Sequence, residues 1–230
     1  MLKNFIGALI NDSCYFVPNV IQYLGQGGEE LSNIKAKIKI KIDNLSDGAV
    51  FISNDFLEIA DYETVRKTLN RFVNEGTIQR VVNGVYYKPR YIELIGEYES
   101  PSINEVAISI ARKYNWTIAP SGNTALNLLG LSTQVPAQWT YISDGRYVDF
   151  LIGNTKLVFK RTTNSTISNM SRLTALVIQA IKAIGKDNIS EEQILYLKNR
   201  LTTSDKKKLL EEGKTTSAWI YKVLKKIGES

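Results

Sequence analysis

Three patterns in the sequence predict an α+β protein: a winged helix-turn-helix first, then a mixed domain with an antiparallel β meander and a helical C-terminal part. Residues 51–89 read in order as short helix, turn, amphipathic helix and tight hairpin. Residues 139–161 hold three β-rich runs separated by Asp-Gly-Arg and Gly-Asn-Thr. From Met170 onward the apolar residues recur only at helical spacing. The domains expected are an N-terminal extension (1–33), a DNA-binding winged module (34–90), a connector (91–102) and an α+β domain (103–230).

Each element has a local reason. The apolar patches Phe5–Ile10 and Tyr15–Leu24 lack the charge, length and cleavage pattern of a signal peptide. Residues 1–33 therefore read as a loosely attached extension, or as a translation start placed too early. The glycine-rich stretch 25–33 reads as a linker. Residues 34–45 alternate like a strand, yet Ile34, Ile38, Ile42 and Leu45 also fit helical spacing. Helix is the choice here, because a winged module begins with one. Ser46-Asp47-Gly48 is a turn and Ala49–Ile52 a short strand. Ser53, Asn54 and Asp55 can cap a helix opening at Phe56 and running to Ala60. Asp61 can cap the next helix, Tyr62–Asn74, in which Val65, Leu69, Phe72 and Val73 form one apolar face. Gly76 ends that helix. Asn83-Gly84 joins two β-rich runs and is a strong hairpin signal, because a type I′ turn needs positive φ at both positions.

Beyond the connector, Ile103–Tyr114 reads as a helix, Thr117–Pro120 as a short strand and Asn123–Leu129 as a helix closed by Gly130. The meander is Trp139–Ser143, Tyr147–Ile152 and Lys156–Arg161. The helical part carries three stripes: Leu173, Leu176, Val177, Ala180 and Ile184; then Ile194, Leu197 and Leu201; then Trp219, Ile220, Val223, Leu224 and Ile227.

The DNA-facing residues follow from helix geometry. At about 100° per residue, the face opposite Val65, Leu69 and Phe72 carries Glu63, Lys67, Asn70 and Asn74, with Arg66 and Arg71 on its flanks. Tyr62 and Thr64 sit at its start. Asn70 suits an adenine edge; Lys67 or Arg71 suits a guanine edge or a phosphate. On the hairpin, Arg80 and Lys88 flank the turn at Asn83 and would lie near phosphates. Tyr86 and Tyr87 alternate, so only one is expected to face the core.

The chain carries a formal charge of +6, unevenly spread: +3 over residues 34–90, −3 over 91–155 and +8 over 156–230. Acidic partners are favoured. Cys14 is the only cysteine and histidine is absent. That excludes an intramolecular disulfide framework, His-based metal sites and the His-dependent nucleophile systems. No run approaches the roughly 20 apolar residues of a membrane span. The glycines at 25, 27 and 28 miss the dinucleotide spacing, and no phosphate-loop Gly-Lys-Ser/Thr occurs. Asp144 and Asp149 could serve a metal-dependent nuclease only with further converging carboxylates. Turn and strand-end roles suit them better. Ser121-Gly122-Asn123 suits helix capping. No cofactor, metal or catalytic residue is expected, and the chain does not read as an enzyme.

Two stretches carry a family resemblance. The segment DFLEIADYETVRKTLNRFVNEGTIQRVVNGVYYKP, followed by ALNLLGLSTQVPAQWTYISDG, resembles the AbiE-type (AbiEi-like, type IV) antitoxins of bacterial abortive-infection systems, over roughly residues 34–185. That resemblance implies an N-terminal winged helix that binds double-stranded DNA at its own promoter. It also implies a C-terminal domain that counteracts a nucleotidyltransferase-like toxin without a stable complex. The expected protein is a cytoplasmic transcriptional autorepressor and antitoxin, with no membrane partner. The alternatives are an ordinary winged-helix regulator whose C-terminal domain binds a ligand or dimerises, and a nucleic-acid-processing enzyme.

Overall fold

The structure, a computed structural model, describes the backbone of residues 20–229 except 164–166 and 168, and side chains from residue 32 onward. The chain divides after Asn44 into two units, 1–44 and 45–230. In the first unit, helix α1 spans Val20–Asp43. The expected helix at 34–45 is therefore present but starts much earlier, and the expected linker at 25–33 is helical. Glycine costs a helix about 1 kcal/mol relative to alanine and does not forbid it. The part of the expected extension before residue 20 lies outside the described residues.

The second unit is α+β. Strand β1 (Val50–Ile52) leads into a 3₁₀ turn (Ser53–Phe56), helix α2 (Tyr62–Asn74) and the hairpin β2 (Gln79–Val82) and β3 (Val85–Tyr87). These strands form an antiparallel sheet in the order β1-β3-β2. The helix expected at Phe56–Ala60 is only that turn. Its Ser-Asn-Asp side chains compete with helical hydrogen bonding, and eight residues from Ser53 to Ala60 are too few to nucleate a helix alone. Asp55 ties the turn down: its carboxylate accepts from the Ile52 amide at 2.9 Å and pairs with Arg112.

The central strand β3 is buried along its whole length, so Tyr86 and Tyr87 both face packed surroundings. Both faces of this sheet are covered. Tyr86 stacks on Phe51 with ring centroids 6.0 Å apart, and Phe51 meets Phe56 edge-on at 5.5 Å. On the other face Ile52 and Val85 join Val106, Ala107 and Ile110 of helix α3 (Ile103–Tyr114), together with Tyr141, Leu157 and Phe159. One apolar cluster thus runs from the first sheet through α3 into the second. The domain boundary expected at 91–102 does not divide the structure. That segment instead holds a small exposed hairpin, β4 (Tyr91–Ile92) with β5 (Glu97–Tyr98).

The second sheet has the order β6-β7-β9-β8, from β6 (Ile118–Pro120), β7 (Gln138–Ser143), β8 (Val148–Ile152) and β9 (Thr155–Arg161). All three runs of the expected meander are strands, but they are not an antiparallel meander. Strand β9 inserts between β7 and β8; it pairs parallel with β7, from Gln138↔Lys156 to Ser143↔Arg161, and antiparallel with β8. The short connection after β7 must cross the end of β9, and Gly145 lies there against the Trp116 ring, closer than any Cβ would allow. Helices α4 (Asn123–Leu129), α5 (Arg172–Ile184), α6 (Glu191–Arg200), α7 (Thr203–Glu212) and α8 (Ala218–Gly228) pack around a second core. Val177, Ile181, Leu197, Leu209, Ile220 and Leu224 are at its centre. The helical C-terminal part is as the apolar stripes predict. Ser171, Ser190 and Thr202 cap α5, α6 and α7 by accepting from backbone amides.

Candidate nucleic-acid interface

Helix α2 is set by its first turn. Asp61 Oδ1 accepts from the Glu63 and Thr64 amides at 3.0 and 3.1 Å. Hydrogen bonds from the Thr64 hydroxyl and amide hold the Asp61 carboxyl below its ordinary range. Thr64 is therefore part of the cap, half-buried, rather than part of an open face. Val65, Thr68, Leu69 and Phe72 are buried, which fixes the outward direction of the others. Lys67, Arg71 and Asn74 are exposed, as the periodicity predicts, and Tyr62 is exposed at the first position of the helix. Arg66 lies half-exposed and pairs with Glu63 one turn earlier at 2.8 Å. That hydrogen bond, with the attraction between the two charges, lowers the carboxyl's pKa and raises the guanidinium's.

Asn70 and Arg80 are brought together: the Arg80 guanidinium donates to Asn70 Oδ1 and lies 5.8 Å over the Tyr86 ring. This bridge ties α2 to the hairpin. An asparagine reading adenine needs its carbonyl to accept from the base and its amide to donate. Arg80 holds that carbonyl, so Asn70 positions Arg80 in this conformation and does not present both groups outward.

The hairpin is used differently from the sequence expectation. Gly84 has φ +71°, but among the described residues Asn115 is the only non-glycine with positive φ, so Asn83 does not make the type I′ turn. The strand register shifts between Arg80 and Val82. The Asn83 side is exposed, yet its carbonyl accepts from Lys113 Nζ of α3 at 2.5 Å. Lys88 is not placed for a phosphate. Its ammonium donates to the Leu45 carbonyl at 2.8 Å and pairs with Asp47 at 3.2 Å, leaving the side chain 21% exposed. Sequence reasoning missed Arg112 and Lys113. Their only signal was a basic pair in the last turn of a helix, which does not say what that turn packs against.

The remaining constellations are structural. Asp144 Oδ1 accepts from the Thr117 amide at 2.8 Å, and Asp149 pairs with Lys156 at 2.9 Å across the β8–β9 hairpin. Among the described residues no three Cys, Asp or Glu side chains gather as a metal site would need. Gly122, not a capping side chain, occupies the N-cap of α4. Lys226 pairs with Glu191 at 2.6 Å. No described helix is long and apolar enough to cross a membrane.

Among solved structures, the RV2827C protein from Mycobacterium tuberculosis is similar at 12% identity, covering 88% of this chain and 78% of that one, with a TM-score of 0.41. No curated protein matches the chain. Residues 37–229 match the model of a family of unknown function, DUF6088, and the chain belongs to it.

Proposed function

We propose that the chain is a double-stranded DNA-binding autorepressor of the winged helix-turn-helix kind, with α2 as recognition helix and β2–β3 as wing. The observation that carries the reading is the outer face of α2. It offers Lys67, Arg71 and Asn74 to a groove, with Tyr62 exposed at its start and Arg80 held beside it through Asn70. The β1-β3-β2 order and the helix before the hairpin suit the same reading. The antitoxin role rests on the sequence resemblance. In it the protein acts in the cytoplasm, opposing a nucleotidyltransferase-like toxin without forming a stable complex.

The test is fluorescence anisotropy on the DNA upstream of its own gene and on a scrambled duplex, across a salt series. The intact protein prefers the upstream DNA. Arg71→Ala weakens that binding by about 1–3 kcal/mol if it reads a base. Lys67→Ala flattens the log–log salt slope by roughly 0.9 if it meets a phosphate. Equal affinity for both duplexes, with neither substitution having an effect, overturns the reading. Growth rescue on co-expression with a neighbouring toxin gene tests the antitoxin role separately.

A further inference from the structure

A cleft of about 380 Å³ opens between α3, β6, α4, β7 and α5, with no residue of α2 in its lining. Six apolar side chains line it: Ile108, Ile118, Pro120, Leu128, Leu173 and Leu176. Each is only partly buried. Leu173 and Leu176 belong to the apolar stripe of α5, but the centre of the helical core takes Val177, Ile178 and Ile181 instead. A stripe wider than the core it serves leaves this edge facing the cleft.

The polar groups at the cleft are few: Asn104, Tyr141 and Arg172. Tyr141 is 1% exposed and donates to Asn104 Oδ1 at 2.9 Å. Burial, and secondarily the charge of Glu105, push its phenol well above the ordinary range, so it stays a neutral hydroxyl. Arg172 stands at the mouth, exposed, as the first residue of α5. Among the described residues no carboxylate forms a salt bridge with it. No acidic side chain lines the cleft. An apolar concavity of this size with a single cation at its rim has the make-up of a small-ligand site, and the cation fixes the sign of the ligand's polar end.

We propose that this cleft binds a small monocarboxylate with an apolar body. The body lies against Ile108, Leu128, Leu173 and Leu176, and the carboxylate meets the Arg172 guanidinium. The volume lies within the range of small-ligand pockets, about 300–1,000 Å³.

Isothermal titration calorimetry of the full-length protein with octanoate tests the proposal, with octanol and acetate as probes lacking the charge or the body. Octanoate is expected to bind with a negative heat-capacity change, as apolar burial requires. Octanol is expected to bind at least tenfold more weakly, and acetate not at all. Arg172→Gln should weaken octanoate at least tenfold while leaving octanol unchanged. Leu176→Trp should fill the cleft and abolish both. Leu176→Met, which keeps the volume, should restore binding and guards against a folding defect in the tryptophan variant. Failure of octanoate to bind at millimolar concentration overturns the proposal. So does equal binding of octanol and octanoate, or binding that survives in both Arg172→Gln and Leu176→Trp.

Discussion

Helix α2 and the β2–β3 hairpin carry similar residues, lysine, arginine and asparagine among apolar neighbours, and use them in opposite ways. On α2 one side is sealed by Val65, Leu69 and Phe72, and on the other side Lys67, Arg71 and Asn74 are exposed. On the hairpin, β3 is the middle strand of a sheet covered on both faces. Polar groups next to it meet protein on most sides and are drawn into internal bonds: Lys88 to the Leu45 carbonyl, the Asn83 carbonyl to Lys113, the Tyr87 hydroxyl to Gln79. A basic residue is therefore a candidate for a partner only where its element has an open side. By that rule Lys67 and Arg71 remain candidates and Lys88 does not.

The strongest way to break this contrast is to uncover the hairpin. Ile110 of α3 is fully buried in the cluster that covers Val85 and Ile52. Ile110→Ala should cost about 2–5 kcal/mol by urea denaturation, whereas Lys67→Ala should stay within about 0.5 kcal/mol. For the same reason residues 34–95 expressed alone should lack a cooperative unfolding transition, since Ile52 and Val85 would face water. A stable, cooperative 34–95 would show that the hairpin does not depend on α3.

A smaller effect is expected at Lys88. Lys88→Met removes a charged donor from the Leu45 carbonyl, at a cost of about 1–3 kcal/mol. It should leave the salt slope of DNA binding unchanged. A flatter slope with unchanged stability would return Lys88 to the DNA side and collapse the distinction drawn above.

The helix side can be sharpened by pH. The Thr64 hydroxyl and amide, with the Glu63 amide, lower the Asp61 carboxyl's pKa in the folded protein. Its contribution to stability is thus fully present above the unfolded carboxylate value, about 4. It is lost as pH falls through the lower folded value. Asp61→Ala should lower the urea midpoint at pH 7 and narrow the gap between pH 7 and pH 3. An unchanged gap would remove Asp61 from the acid response.

At the smallest end stands Ser53, 2% exposed, whose hydroxyl has no hydrogen-bond partner among the described residues. Ser53→Ala should be neutral or slightly stabilising, within about 1 kcal/mol. A clear loss of stability would reveal a partner for that hydroxyl.

The residues themselves determined whatever depends on near neighbours. Ser102 caps α3 three residues before Glu105, and Ile103–Tyr114 is a helix with the bounds its pattern predicts. Asp61, Ser171, Ser190 and Thr202 open their helices in the same way, and the buried face of α2 follows from its spacing. Periodicity tells which side of an element is apolar, but not which surface covers it. Only the tertiary structure decided that β9 slides between β7 and β8, because strand order depends on pairing between segments that local sequence does not relate. It also decided that α3 fuses the two sheets into one core across residues 91–102. The site divides along the same line. The exposure of Lys67, Arg71 and Asn74 was legible because it needs only the helix. The capture of Asn70 by Arg80 and of Lys88 by Leu45 was not, because each bond joins groups 10 and 43 residues apart. The cleft by Arg172 belongs with these, since its walls come from five elements that meet only in the folded chain.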